Sequence, residues 1–242
     1  MAFLANVLPV ALAALLLWSG GSPSAHARER AVLAITWQPA FCEGRPRLPE
    51  CRTLDARRFD ASHFALHGLW SQGRRNYCGV SRRERERDRR GRWRSLEGLG
   101  LSRDIRRRLA QAMPGVRSYL HRHEWVKHGT CMDDTPNDYF RDALAVLDAV
   151  NASDVRDLFA RSVGRRLDAR DITAAFDRAF GPGAGRRVRV KCHRDGQRQL
   201  IVELTIGLEG RVGRDPVGKL IRASRPVRPD CPGGIVDPVG LQ

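Results

Sequence analysis

The 242-residue chain carries no lysine, arginine, aspartate or glutamate before Arg28, no CxxC pair, no internal repeat, and no second long apolar run after residues 1–18. Without a CxxC pair, a zinc knuckle or a thioredoxin-type redox site is not expected. Without a later apolar run, nothing beyond the opening stretch has the composition to cross a membrane. The uncharged opening stretch is itself short for a full span. It leads into a polar break at residues 19–24 and then Ala25-His26-Ala27, a small-x-small cleavage pattern. Residues 1–27 are therefore expected to be a secretory signal peptide, although residues 1–6 lack the usual positive charge. Residues 28–242 are expected to form a single domain, secreted or periplasmic, with no membrane insertion once the signal is removed.

The cysteines fit export. There are six, Cys42, Cys51, Cys78, Cys131, Cys192 and Cys231. An even number in an oxidising compartment predicts three disulfides, whose connectivity the sequence alone leaves open. The net charge of +16 falls wholly on residues 28–242. Such a balance favours polyanionic partners: nucleic acid, an anionic membrane or polysaccharide.

Periodicity gives the elements. AVLAITW at 31–37 reads as a buried strand, ended by Gln38-Pro39. FALHGL at 64–69 reads as another, with Phe64 and Leu66 on one face and Ala65 and His67 on the other. RRERERDRRGRWR at 82–94 mixes charge signs without an apolar face and predicts a solvated loop or helix. Ser102 is placed to cap a helix running to Ala112, and Asn137 to cap the next, whose stripe is Phe140, Leu144 and Leu147. Ser153 opens a short helix, and residues 171–180 form another, stopped by Gly181-Pro182. Residues 187–191 and 200–208 alternate around Asp195-Gly196, a hairpin pattern. Asn151-Ala152-Ser153 matches a glycosylation sequon. Early strands, central helices and late strands predict one α+β domain, with a central antiparallel or mixed β-sheet packed by several α-helices.

Two segments concentrate ionisable groups beside tryptophan and near cysteine. In HEWVKHGTC, residues 123–131, helical winding puts Lys127, Glu124 and His128 about 40°, 100° and 140° from His123. Trp125 and Val126 fall on the opposite arc. Gly129 is expected to end that helix in a left-handed conformation. The second segment is FALHGLW, residues 64–70, with His67 inside a strand.

FALHGLW and HEWVKHGTC resemble the two active-site segments of the ribonuclease T2 family, and ITWQPAFC at 35–42 resembles the first strand of its bacterial members. The resemblance spans about residue 31 to the C-terminus and departs at Ser71, where the family usually carries proline. It implies a ribonuclease T2-like α+β fold. It also implies an endoribonuclease of low base specificity that cleaves single-stranded RNA through its own 2′-hydroxyl, leaving a 2′,3′-cyclic phosphate. It assigns His128 as general base and His67 as general acid. Histidine suits either task near neutral pH, so the residue type does not distinguish them. Lys127 supplies a cation where phosphoryl charge develops. His123 is implied as a phosphate ligand, and Glu124 as an orienting or proton-coupled neighbour. Trp70 and Tyr77 are candidates for stacking on bases. The family pattern also suggests the pairings Cys42–Cys51, Cys78–Cys131 and Cys192–Cys231.

No metal and no cofactor are expected, because the nucleophile is built into the substrate. A site made of His121, His123 and His128 is disfavoured: His121 and His128 lie two turns apart, roughly 10 Å. The partner is RNA; DNA binds without reacting, because it lacks the 2′-hydroxyl. A monomer is expected. Lys127 and the many arginines are expected to depress the pKa values of both histidines. The alternative from another class is a non-catalytic, basic, polyanion-binding secreted module.

Overall fold

In the computed structural model, which describes Met1 and residues 29–73, 76–133 and 135–241, the elements follow this order. The strands are β1 (Glu29–Thr36), β2 (Ala65–Ser71), β3 (Arg166–Asp168), β4 (Val188–Asp195), β5 (Arg198–Gly210) and β6 (Gly233–Ile235). The helices are α1 (Gln38–Glu43), α2 (Arg82–Arg89), α3 (Arg103–Ala112), α4 (Leu120–Lys127), α5 (Pro136–Asn151), α6 (Asp154–Arg161), α7 (Ala169–Phe180) and α8 (Val217–Ala223). The expected signal peptide lies outside the described residues, Met1 excepted.

Ala31, Leu33, Ala34 and Ile35 of β1 are all almost fully covered. A strand buried on both faces needs neighbours on both edges, and β1 has β2 on one and β5 on the other, both antiparallel. β5 is long enough to hold β4 along its opposite edge, while β6 joins it in parallel beyond the end of β1. The sheet is therefore mixed, in the order β2-β1-β5-β6-β3 with β4 beside β5. The late hairpin falls where alternation put it.

α5 spans the sheet and fixes the strand that carries His67. Its apolar stripe, with Phe140, Leu144 and Leu147 fully buried, faces the core. Each such side chain stabilises the fold by about 1.5–3 kcal/mol. Tyr139 Oη donates to the Leu69 carbonyl at 2.7 Å and accepts from the Leu69 amide at 3.2 Å. At the other end, Asn151 pairs with the Phe64 amide and carbonyl at 2.9 and 3.0 Å. That buried role removes Asn151 from any use as a glycosylation acceptor.

Two helix boundaries differ from expectation. Thr135, rather than Asn137, caps α5: its hydroxyl accepts from the Asp138 amide, and Pro136 fills the first turn, where no amide donor is needed. Asn137 instead accepts from the Ser102 amide, next to the start of α3. Gly129 does not turn left-handed after α4; it enters a tight 3-10 turn, Gly129–Cys131. Glycine is required there for space, since a methyl group would overlap the Trp125 ring. Three disulfides, Cys42–Cys51, Cys78–Cys131 and Cys192–Cys231, have the pairing the family pattern suggested. Cys78–Cys131 ties the end of the α4 segment to the loop after β2.

Candidate active site

His67 is the extra residue in an irregular β1–β2 register: Ala34 faces Gly68, but Ile35 faces Leu66. Such a bulge re-aims a side chain, and it breaks the strict alternation expected of this strand. The His67 imidazole reaches across β1 to β5, where Nδ1 donates to Glu203 Oε2 at 2.7 Å. Lys191, directly opposite Glu203 on β4, donates to its other oxygen at 2.7 Å. Burial alone raises the Glu203 pKa, but His67 and Lys191 outweigh it and hold the carboxylate below its ordinary range. Burial also pulls the His67 pKa down; the hydrogen bond to Glu203 and the charges of Glu124 and Glu203 overcome this and raise it. His67 thus favours the imidazolium form, with Nε2 left towards Glu124 at 3.8 Å.

α4 supplies the second half. Glu124 is 1% exposed, so the polar arc predicted from winding is buried at Glu124 and His128, with His123 and Lys127 half-buried beside them. Trp70 Nε1 donates to Glu124 Oε2 at 3.0 Å. Glu124 Oε1 lies 3.8 Å from His67 Nε2 and 3.9 Å from His123 Nε2. Burial raises the Glu124 pKa, against the opposing charges of His67, His123 and Lys127. Gly68 makes room for this carboxylate, because a Cβ at that position would overlap it.

His128, at the end of α4, is the reverse of His67. Burial lowers its pKa to about 3, reinforced by Lys127, His123 and His67. Its Nδ1 has no partner among the described residues. Both rings lie close to Trp70, at centroid distances of 5.2 Å for His67 and 6.1 Å for His128. The expectation that cations would depress both histidines is therefore corrected. It holds for His128 and fails for His67, because Glu203 reverses the local charge there. The Lys127 ammonium pairs with no carboxylate among the described residues.

His123 Nδ1 donates to Asp88 Oδ1 at 2.7 Å, and the ring stacks on Trp93 at 4.8 Å. Asp88, buried on α2, also accepts from Tyr77 Oη at 2.8 Å. Burial and this bond push the Tyr77 hydroxyl up to about 12. His121 faces elsewhere: burial and Arg122 lower its pKa to about 4, and its Nδ1 is unpartnered. With His123 held by Asp88, the three α4 histidines do not assemble a shared ligand set, and no cluster of metal-ligating side chains occurs among the described residues. A cavity of about 310 Å³ opens beside His67, walled by Phe41, Leu66 and Trp93, with Gln38, Arg45, Glu50 and Ser118 among its polar groups.

The structure brings together His67, Trp70, His123, Glu124 and His128, with Tyr77 reaching them through Asp88. It adds Glu203, Lys191, Asp88 and Trp93, none of which the sequence singled out. Glu203 and Lys191 occupy ordinary alternating strand positions, and only the pairing register shows that they meet.

The family model described as "Ribonuclease T2 family" matches residues 29–216. Ribonuclease I of Escherichia coli is 28% identical, covering 75% of each chain. Ribonuclease MC1 from bitter gourd seeds has the same fold at 18% identity, with a TM-score of 0.56 over 86% of this chain and 98% of that one. The self-incompatibility SF11-RNase of Nicotiana alata does so at 15% identity, with a TM-score of 0.54 over 89% and 99%. With its fold, its paired histidine segments and a family match over most of its length, the chain belongs to the ribonuclease T2 family and is an endoribonuclease.

Proposed function

We propose that the protein cleaves single-stranded RNA by transesterification, with His128 as general base and His67 as general acid. The observation that carries this reading is the opposite electrostatic setting of two histidines that both lie close to the Trp70 ring. A base must begin neutral, and burial beside Lys127 keeps His128 so. An acid must begin protonated, and Glu203 favours that state in His67. His128 takes the proton from the 2′-hydroxyl, and O2′ bonds to the adjacent phosphorus. The bond from phosphorus to O5′ breaks, and His67 passes its proton to the leaving oxygen. The products are a 2′,3′-cyclic phosphate and a free 5′-hydroxyl.

In this reading Lys127 supplies a cation to the phosphoryl oxygens as they gain charge, with His123 as a further phosphate contact, which stabilises the transition state more than the substrate. Glu124 accepts from Trp70, and its charge favours the protonated form of His67. Trp70 offers a ring face for base stacking, which tolerates any base and accords with low specificity. The cavity beside His67 has the size of a nucleobase site. The step draws its nucleophile from the substrate, so it calls for no metal-activated water. DNA binds to the same basic surface without reacting. The three disulfides and the opening apolar stretch support export to the periplasm or beyond.

Incubating the protein with RNA in EDTA distinguishes this reading from a binding module. Fragments ending in 2′,3′-cyclic phosphate are expected, with DNA left intact. RNA retained without cleavage, or cleaved only after metal is added, contradicts the proposal.

A further inference from the structure

Residues 82–94, helix α2 and the turn after it, are mostly solvated as their composition predicts, yet they are not detached from the site. Three contacts hold the segment against the site. Buried Asp88 binds His123 and Tyr77. Trp93 stacks on His123 and lines the cavity beside His67. Arg122 donates to the Arg94 and Leu96 carbonyls at 2.9 and 2.7 Å, clamping the far end.

Between these anchors the segment turns its charge outward. It holds eight arginines and three acidic residues, and the one acid at Asp88 is turned inward. Arg85 and Arg87 are engaged with the Val80 and Ser95 carbonyls, and Arg90 with Glu86. Arg82, Arg83, Arg92 and Arg94 are exposed, and their side chains make no ion pair or hydrogen bond among the described residues. Four exposed guanidinium groups are therefore carried on a segment that is anchored to His123 and helps to line the cavity beside His67. Solubility alone calls for no such anchoring, whereas guanidinium groups match phosphate oxygens in geometry and charge.

We propose that the exposed arginines of residues 82–94 form a subsite for the backbone phosphates of RNA that flank the scissile linkage. Long strands engage it and dinucleotides do not reach it. The inference rests on the ribonuclease reading, and its test includes a measurement that needs no turnover.

The test is the quadruple variant Arg82→Gln, Arg83→Gln, Arg92→Gln and Arg94→Gln, which leaves Asp88, Trp93 and the helix-forming character of α2 in place. On polymeric RNA at low salt, kcat/KM is expected to fall by at least ~10-fold, mostly through KM. The slope of log affinity against log salt should become shallower by about 2 to 3, at roughly 0.7 per phosphate contact on a single strand. Cleavage of a dinucleoside monophosphate should stay within ~2-fold of the parent protein. Binding of a labelled RNA of about 12 nucleotides, read by anisotropy, should weaken in parallel. That readout judges the subsite even if the parent protein cleaves nothing. Unchanged binding and an unchanged salt slope overturn the proposal. So does an equal loss on polymer and dinucleotide, which would place the arginines inside the catalytic centre.

Discussion

Replacing either His128 or His67 by alanine is expected to lower kcat/KM on RNA by ~10²- to 10⁴-fold, the usual worth of a positioned acid or base. The two variants should fail for different reasons. Without His128, nothing takes the proton from the 2′-hydroxyl, and the remaining groups near the ring are cationic or fixed elsewhere. Without His67, the attack can begin, but the departing O5′ has no proton donor. A nucleoside 3′-phosphate ester with a nitrophenyl leaving group needs no such proton. It should therefore recover most of the loss in His67→Ala and none of it in His128→Ala. Near-full RNA cleavage by either variant would remove that residue from the reaction. Recovery in the His128 variant instead would exchange the two roles.

The second large effect is expected at a residue with no side chain. Gly68→Ala should lower kcat/KM by at least ~10²-fold, because its methyl group takes the space of the Glu124 carboxylate. Glu124 is fully enclosed and held by Trp70, so displacing it moves the tryptophan and removes the negative neighbour of His67 and His123. A displacement of ~1 Å at such a centre can cost ~10²-fold in rate. Overpacking adds about 1–3 kcal/mol of destabilisation. The control is the same substitution in a Glu124→Ala background, where the methyl group meets only Trp70 Nε1, at 3.0 Å. There Gly68→Ala should change activity less than ~3-fold, a strongly non-additive pair. If the glycine substitution costs the same in both backgrounds, the strand itself, and not the carboxylate, requires glycine.

The sequence disclosed the site where chemistry is concentrated in short runs. HEWVKHGTC and FALHGLW carry their functional types at fixed spacing, so their meeting could be expected before the fold was known. The late hairpin and the Ser102 cap were equally legible, since both depend on neighbours within a few residues. The disulfide pairing came from the family resemblance, because spacing alone leaves several patterns open. What escaped was created by tertiary pairing. Glu203 looks like any outward-facing residue of β5 until β1 brings it opposite the bulge at His67. Asp88 looks like one charge in a solvated run until α2 packs it on His123. The same gap explains the mistaken pKa expectation. Counting charges along the sequence registers Lys127, the arginines and the opposing Glu124, but not Glu203, whose 2.7 Å contact joins Glu124 in raising the His67 pKa.

The account rests on opposite protonation of the two rings when RNA arrives. Activity requires His67 charged and His128 neutral, a condition met from about pH 3 up to the raised His67 value. The direct measurement is an NMR titration of the histidine ring protons in the free protein, assigned with the two alanine variants. The account predicts that His67 titrates above the ordinary value of 6.5 and His128 far below it, near 3. A His128 resonance that titrates above that of His67 would contradict it.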